Sequence, residues 1–411
     1  MSTPPKQKAS LGIILLTLFI SMLGIGIIIP VMPLYAEKFG ASEFQIGLLF
    51  ATYAGCQFLF SPLIGKLSDR VGRRPVLLIS TLGTAIGFVL MGAAESLPIL
   101  FAARVIDGVS GANIGTAQAY IADVTSREER GRAMGLMGAT LGLGFIFGPA
   151  LGGNLSHINP ALPFYVVAGI AVINLLLIFF KLPESLSAEQ RSHPSSKLPF
   201  SALLKHTEAP TFVRVIIANF ASVFAFTVMT TAWALFLSNR FGYEERASGN
   251  ILAYIGVIGV LVQGGLVRRL LKKPDREAPV AVAGAVIMVI SLAALPFSTG
   301  LWTLLITSTG LAIGNSLLTP TISSLGSLSA SADWQGRALG VLQSSSSLGR
   351  VIGPLLAGYL LTLDAGADAS HYAHTALLTS AGLATLALVI LATLRPAKNL
   401  PDQPAEPETA R

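Results

Sequence analysis

Apolar runs of about 20 residues alternate with short polar interruptions along the whole chain, and twelve of them are long enough to cross a bilayer as helices. They fall near residues 11–35, 44–65, 75–94, 97–121, 133–155, 161–181, 211–238, 247–267, 278–297, 301–327, 337–361 and 374–394. The pattern predicts an all-α membrane protein with twelve transmembrane helices. The first run follows Lys6 and Lys8, is too long for the apolar region of a signal peptide and lacks a small-residue cleavage site, so it reads as the first span. The longest polar interruption, 182–210, is rich in Pro, Ser and charge and separates six spans from six.

Across that break the chain repeats itself. Gly131-Arg132-Ala133-Met134-Gly135 returns as Gly336-Arg337-Ala338-Leu339-Gly340, and Gly148-Pro149 returns as Gly353-Pro354, both at an offset of 205 residues. The expected organisation is two pseudo-symmetric six-helix bundles, 1–181 and 211–395, a cytoplasmic linker over 182–210 and a disordered cytoplasmic tail over 396–411. Parallel repeats of this kind place a substrate site near the bilayer midplane between the halves.

Composition narrows the function. Hydrophobic residues make up 52% of the 411 and charged residues 12%, far from the balance of a soluble domain. The net charge of +7 does not point to nucleic acid, because 23 of the 28 Lys and Arg residues fall in the termini and alternate loops on one side. That asymmetry predicts an inner or plasma membrane protein with both termini cytoplasmic. One cysteine, Cys56, excludes a disulfide framework and a thiolate metal site. The spans hold no Ser/His pair, paired aspartates or His cluster, so neither an enzyme nor a cofactor or metal site is expected. The expected partners are a small-molecule substrate, protons and membrane lipids, and the chain is read as a monomer.

The most informative segment is Gly65-Lys66-Leu67-Ser68-Asp69-Arg70-Val71-Gly72-Arg73-Arg74-Pro75, between the second and third spans. A reversal within about ten residues assigns Gly65 and Gly72 as turn formers and Pro75 to the first turn of the next helix. Asp69 is placed to accept from a helix N-terminus or to pair with Arg73. The pattern G-x-L-x-D-R-x-G-R-R-P resembles the loop signature of the major facilitator superfamily of secondary transporters. The fifth span, with Gly142, Gly144, Gly148, Pro149, Gly152 and Gly153, packs tightly on its glycines. Its form G-x-x-x-G-P-x-x-G-G resembles the signature of the drug:proton antiporter branch, which implies export by alternating access.

Three sets of residues are candidates for that task. In the fourth span Arg104 and Asp107 lie one turn apart on one face, and Asp107 is the acid placed deep in the membrane. They form either a structural ion pair or the proton-coupling site; the motif L-x-x-x-R-V-I-D-G resembles a family motif whose Arg is associated with proton transfer. The same resemblance assigns Gly65, Asp69, Arg70, Gly72, Arg73 and Asp123 to a cytoplasmic latch that steadies the outward-facing state. In the eleventh span Gln343, Ser347 and Arg350 share a face, with Arg350 about 16 Å inside the span edge. Arg350 either bonds backbone carbonyls or serves as counter-ion to an anionic or electron-rich substrate. Tyr53, Gln57, Trp233, Tyr254 and Asn315 are candidates for the rest of the pocket lining.

Two departures from the resembled branch bear on the substrate. Tetracycline exporters carry acids in spans one and three, where this chain has Ser21 and the acid-free run Thr81 to Ala93; related multidrug exporters carry them in spans seven and ten, where it has Met229, Thr230 and Asn315. The expectation is an exporter of a small amphiphilic organic compound by proton antiport; the alternative is an organic-anion carrier or facilitator without proton coupling.

Overall fold

A computed structural model describes residues 5–126, 129–186, 204, 206–271, 276–331 and 334–394. Most of the linker and the whole tail expected from the sequence lie outside these residues. The described chain is helical and contains twelve helices long and apolar enough to cross a membrane. We number them α1 (Ser10–Glu37), α2 (Glu43–Val71), α3 (Arg73–Gly92), α4 (Leu97–Val124), α5 (Arg130–Ser156), α6 (Leu162–Lys181), α7 (Ala209–Phe241), α8 (Glu245–Leu270), α9 (Glu277–Phe297), α10 (Leu301–Leu328), α11 (Gln335–Asp364) and α12 (His374–Ala392).

Local chemistry sets the helix ends. Ser42 starts α2 with a capping box: its hydroxyl accepts the Gln45 N–H at 3.4 Å and the Gln45 side chain accepts the Ser42 N–H at 2.9 Å. At the other end α2 runs through Gly65 to Val71, so Gly65 is not a turn former. The reversal into α3 is made by Gly72 alone, at φ +107°, a conformation that costs glycine nothing. The polar sequence 66–71 is read as helix because one face of it still packs inward at Ser68, which is fully buried. Gly242 closes α7 in the left-handed region, donating to Ser238 while Tyr243 donates to Leu237.

The halves are assembled on small residues, as expected where lipid is as apolar as the side chains. A Cβ on Gly144 would lie 2.6 Å from the Met22 Cβ, and one on Gly148 would lie 2.7 Å from the Leu23 carbonyl oxygen; both glycines let α5 lie directly on α1. The same device joins the two halves, twice. A Cβ on Gly249 of α8 would meet the Pro149 carbonyl of α5 at 2.2 Å, and one on Gly47 of α2 would meet the Pro354 carbonyl of α11 at 2.3 Å. Gly153 and Gly358, each four residues beyond its proline, complete the two seams at Glu245 and Glu43. Each half therefore contributes one Gly-Pro helix and one receiving glycine.

Both seams lie toward the helix ends remote from the chain termini. Toward the terminal side the halves separate: Gly131, Gly135 and Gly138 of α5, Gly264 and Gly265 of α8, Gly65 of α2 and Gly336 and Gly340 of α11 face open space. There α8 loosens into a π-helical turn over Val262–Val267. The result is a cavity closed at one end and open at the other.

Candidate functional site

The cavity has a volume of about 490 Å³ and is lined from both halves, chiefly by α1, α2, α7, α10 and α11. Most of its exposed wall is apolar, with Met22, Ile25, Phe50, Phe145 and Phe226 among the residues that supply it, and neutral hydroxyl and amide side chains are set between them. Tyr53, Gln57, Asn315, Gln343 and Arg350 line it, as the sequence suggested. Arg104 lines it too.

Three other candidates sit elsewhere. Trp233 is fully buried in the packed core of α7 and does not reach the cavity; an indole inside an apolar stretch of that helix is taken up by packing. Tyr254 points along the outside of α8, where its hydroxyl is 2.7 Å from that of Thr309 on α10. Ser347 is half-buried outside the cavity and bonds back to the Gln343 carbonyl, while its neighbour Ser346 lines the cavity. A four-residue run of serines holds two faces within one step, and the 100° turn between neighbours settles which one looks inward. Asn219 carries no motif or periodicity that marks it in the sequence. Its amide donates to the Leu342 carbonyl at 2.9 Å and to the Ser345 and Ser346 hydroxyls at 2.7 and 2.8 Å, tying α7 to α11 at the cavity wall.

At the centre of the first half Arg104 and Asp107 form a buried pair, Nη1 to Oδ2 at 3.2 Å, with 3% and 7% of their side chains exposed. The Arg104 Nε donates to the Leu49 carbonyl at 3.3 Å, and its guanidinium lies 4.4 Å over the Tyr53 ring. Glycine makes room for all of this. A Cβ on Gly108 would press on the Tyr53 backbone at 2.6 Å, and one on Gly87 would meet the Asp107 Cβ at 3.2 Å. Arg350 has no such partner. Among the described residues it makes no ion pair, and its Nε donates to the Ser346 carbonyl of its own helix at 3.4 Å. The carbonyl bond and the open face toward the cavity are both present.

The loop candidates gather at the α2–α3 reversal. The buried Arg73 guanidinium reaches Asp69 at 2.5 Å, the Ser68 hydroxyl at 2.7 Å and Asp123, from the end of α4, at 3.5 Å. The acid at the α3 N-terminus is not Asp69 but Glu184, whose carboxylate accepts the Arg73 and Arg74 N–H groups at 2.8 and 3.2 Å. Glu184 follows α6, more than a hundred residues away, so no local pattern announces it. Ser185 extends the cluster by donating to Asp123 at 2.9 Å, and Arg70 lies exposed beside it. Every described member belongs to the first half.

Gly144, Gly148, Pro149, Gly152 and Gly153 form the α5 face that receives α1 and α8. Two helical bundles around a central cavity open at one end define a non-enzymatic membrane transporter. The family model of the Major Facilitator Superfamily matches residues 14–279 and 275–411, and the chain belongs to that superfamily. It is 31% identical to the tetracycline resistance protein, class B, of Escherichia coli, over 85% of this chain and 88% of that one. It is 30% identical to multidrug resistance protein 2 of Bacillus subtilis (strain 168), over 87% and 90%. Among solved structures, a bacterial homolog of the human lysosomal transporter Spinster, inward-facing and occupied, superposes with a TM-score of 0.79 at 16% identity, covering 95% of this chain and 96% of that one.

Proposed function

We propose that the protein exports a small amphiphilic organic compound across the cell membrane in exchange for protons, by alternating access of the central cavity. Export is supported by the relatives, which are named for resistance to tetracycline and to multiple drugs; a resistance protein of this fold acts most directly by removing the compound. The positive-inside distribution of Lys and Arg makes the terminal side cytoplasmic, so the cavity described above is the inward-open form that loads from within. The largely apolar wall interspersed with hydroxyls and amides suits an amphiphile, which leaves water and inner-leaflet lipid for a site that offers both kinds of contact.

The observation that carries proton coupling is the buried Arg104–Asp107 pair beside the cavity. A carboxylate in that position is retained at a high desolvation cost, which a moving proton would use. In this reading Asp107 carries the proton and Arg104 reports cavity occupancy to it, while the Asp69–Arg73–Asp123 cluster acts at the cytoplasmic edge on the balance between states. The decisive experiment uses proteoliposomes with an imposed pH gradient and three probes: ethidium, N-phenyl-1-naphthylamine and 8-anilinonaphthalene-1-sulfonate. Asp107→Asn is expected to abolish gradient-driven transport of whichever probe is carried and to spare counterflow. Full gradient-driven transport in that variant would end the assignment.

A second reading, an organic-anion carrier without proton coupling, is favoured by the Arg350 guanidinium in the cavity wall, which makes no ion pair among the described residues. It predicts transport of the sulfonate alone, indifferent to the gradient.

A further inference from the structure

Asp107 does not face the large cavity. It lines a second, much smaller space of about 10 Å³, the size of one water molecule, together with Ser21, Gly24, Thr84, Phe88 and Gly111. Its ion-pair partner Arg104 lines the large cavity and not the small one. Only Ile25 and Tyr53 border both. The adjacent residues Ser21 and Met22 of α1 fall on opposite sides of this division.

Tyr53 is held as a fixed plate between the two spaces. Its ring is covered by the Arg104 guanidinium, 4.4 Å from the centroid. Its hydroxyl accepts from Gln57 Nε2 at 3.2 Å, and the same amide nitrogen donates to the Gly111 carbonyl at 2.9 Å, so the tip is tethered to both α2 and α4. There is no slack behind it. A Cβ on Gly111 would lie 2.6 Å from the Tyr53 oxygen, and one on Gly108 would lie 2.6 Å from the Tyr53 carbonyl. The side chain is pinned in front, at the tip and at its base.

We propose that Tyr53 is an insulating partition. It keeps Asp107 in a chamber of its own, out of reach of a ligand in the cavity, so that the ligand is sensed by Arg104 while the proton resides on Asp107. This rests on Asp107 as the proton carrier. The physical consequence is that a proton on Asp107 cannot pass directly into the open cavity, which prevents the carrier from leaking protons when no compound is bound. Tyr53 is thus a positioning residue: it neither binds the proton nor supplies charge.

Two measurements on the full chain test this, and neither needs a transported compound. In the first, Cys56 is replaced by Ser, and cysteine is placed at Ser21 or Met22 for reaction with a small cationic methanethiosulfonate. With Tyr53 in place, Ser21→Cys should react at least about tenfold more slowly than Met22→Cys, and Tyr53→Ala should bring the two together. Equal rates with Tyr53 present overturn the partition, and this comparison stands even if Tyr53→Ala does not fold. In the second, proteoliposomes containing pyranine report decay of an imposed pH gradient. Tyr53→Ala should dissipate it several-fold faster than wild type, Tyr53→Phe, which keeps the ring, should leak far less than Tyr53→Ala, and adding Asp107→Asn to Tyr53→Ala should restore tightness. A leak that persists without Asp107, or no leak at all, overturns the proposal. Failure of Asp107 as proton carrier is read separately, from gradient-driven transport in Asp107→Asn alone.

Discussion

The two halves share one fold and one helix-packing device but spend their polar residues differently. All three described ion pairs, Asp69–Arg73, Asp123–Arg73 and Arg104–Asp107, lie in the first half. Around the cavity the second half is tied together by neutral groups, with Asn219 bridging to Ser345 and Ser346 and Thr227 donating to the Gly349 carbonyl at 3.1 Å; its buried carboxylate, Asp364, lies at the far end of α11, where it accepts from the Thr375 N–H and hydroxyl. Its cavity-lining cation, Arg350, makes no ion pair among the described residues. Paired charges fix geometry and respond to protons, whereas hydroxyls and amides adapt to many ligand shapes. In the proposed mechanism the first half would handle charge and the second would accommodate the ligand.

Asp107→Asn attacks the charge-handling side and carries the largest expected effect. Removing one partner leaves the Arg104 charge buried and unpaired, at a cost on the order of 3–5 kcal/mol. The melting temperature should fall along with gradient-driven transport. Asp107→Glu, which keeps the charge, should recover both in part; if it recovers neither, the side chain matters for its shape and not for its ionisation.

The seams are common to both halves, so breaking either should act alike. Gly249→Val or Gly47→Val puts carbon within about 2.3 Å of a proline carbonyl, which only separation of the halves relieves. Cysteines at the far ends of α2 and α8 should become fully reactive to membrane-impermeant reagents. A protein that stays closed there would show that the seam can absorb a valine side chain.

Arg350→Ala probes the ligand side alone. Loss of one charge-assisted bond is worth about 1.5–3 kcal/mol, so binding of 8-anilinonaphthalene-1-sulfonate should weaken by at least about tenfold. N-phenyl-1-naphthylamine, neutral and similar in shape, should bind as before. An equal fall for both probes would make Arg350 a structural residue.

Asp69→Asn is the mildest. Nearly half of the Asp69 side chain is exposed, so its pair with Arg73 contributes at most about 1 kcal/mol after solvent screening. The balance of open and closed forms, read by cysteine labelling at the cytoplasmic ends of α2 and α11, should shift no more than about fivefold. A larger shift would mean that Asp69 engages the second half in the closed form.

The fold was legible because bilayer thickness imposes a length on every apolar run; the twelve helices lie close to where hydropathy put them. The exceptions follow the same logic. Polar residues 66–71 continue α2 beyond the apolar run because a helix outlasts its hydrophobic stretch when one face is still packed. Periodicity brought Arg104 and Asp107 together correctly, since three residues along a helix is a distance. It had no means of finding Glu184 at the α3 N-terminus or Gly249 against Pro149, contacts made between segments about a hundred residues apart. Nor does composition distinguish Trp233, lost in the core, from Tyr53 at the cavity wall; both are aromatic residues in apolar helices.

The seams at Pro149 and Pro354 are made of backbone, with almost no side chain between the helices. A joint of this kind holds no interlocked rotamers that must be disengaged and reset each time it parts, so its opening carries little conformational entropy and no memory of the previous cycle. Wear in such a joint, in the sense of sequence drift, has one direction only: any residue larger than glycine acts as a wedge. The bearing surface of this machine is therefore its least chemically distinctive part and the part least free to change.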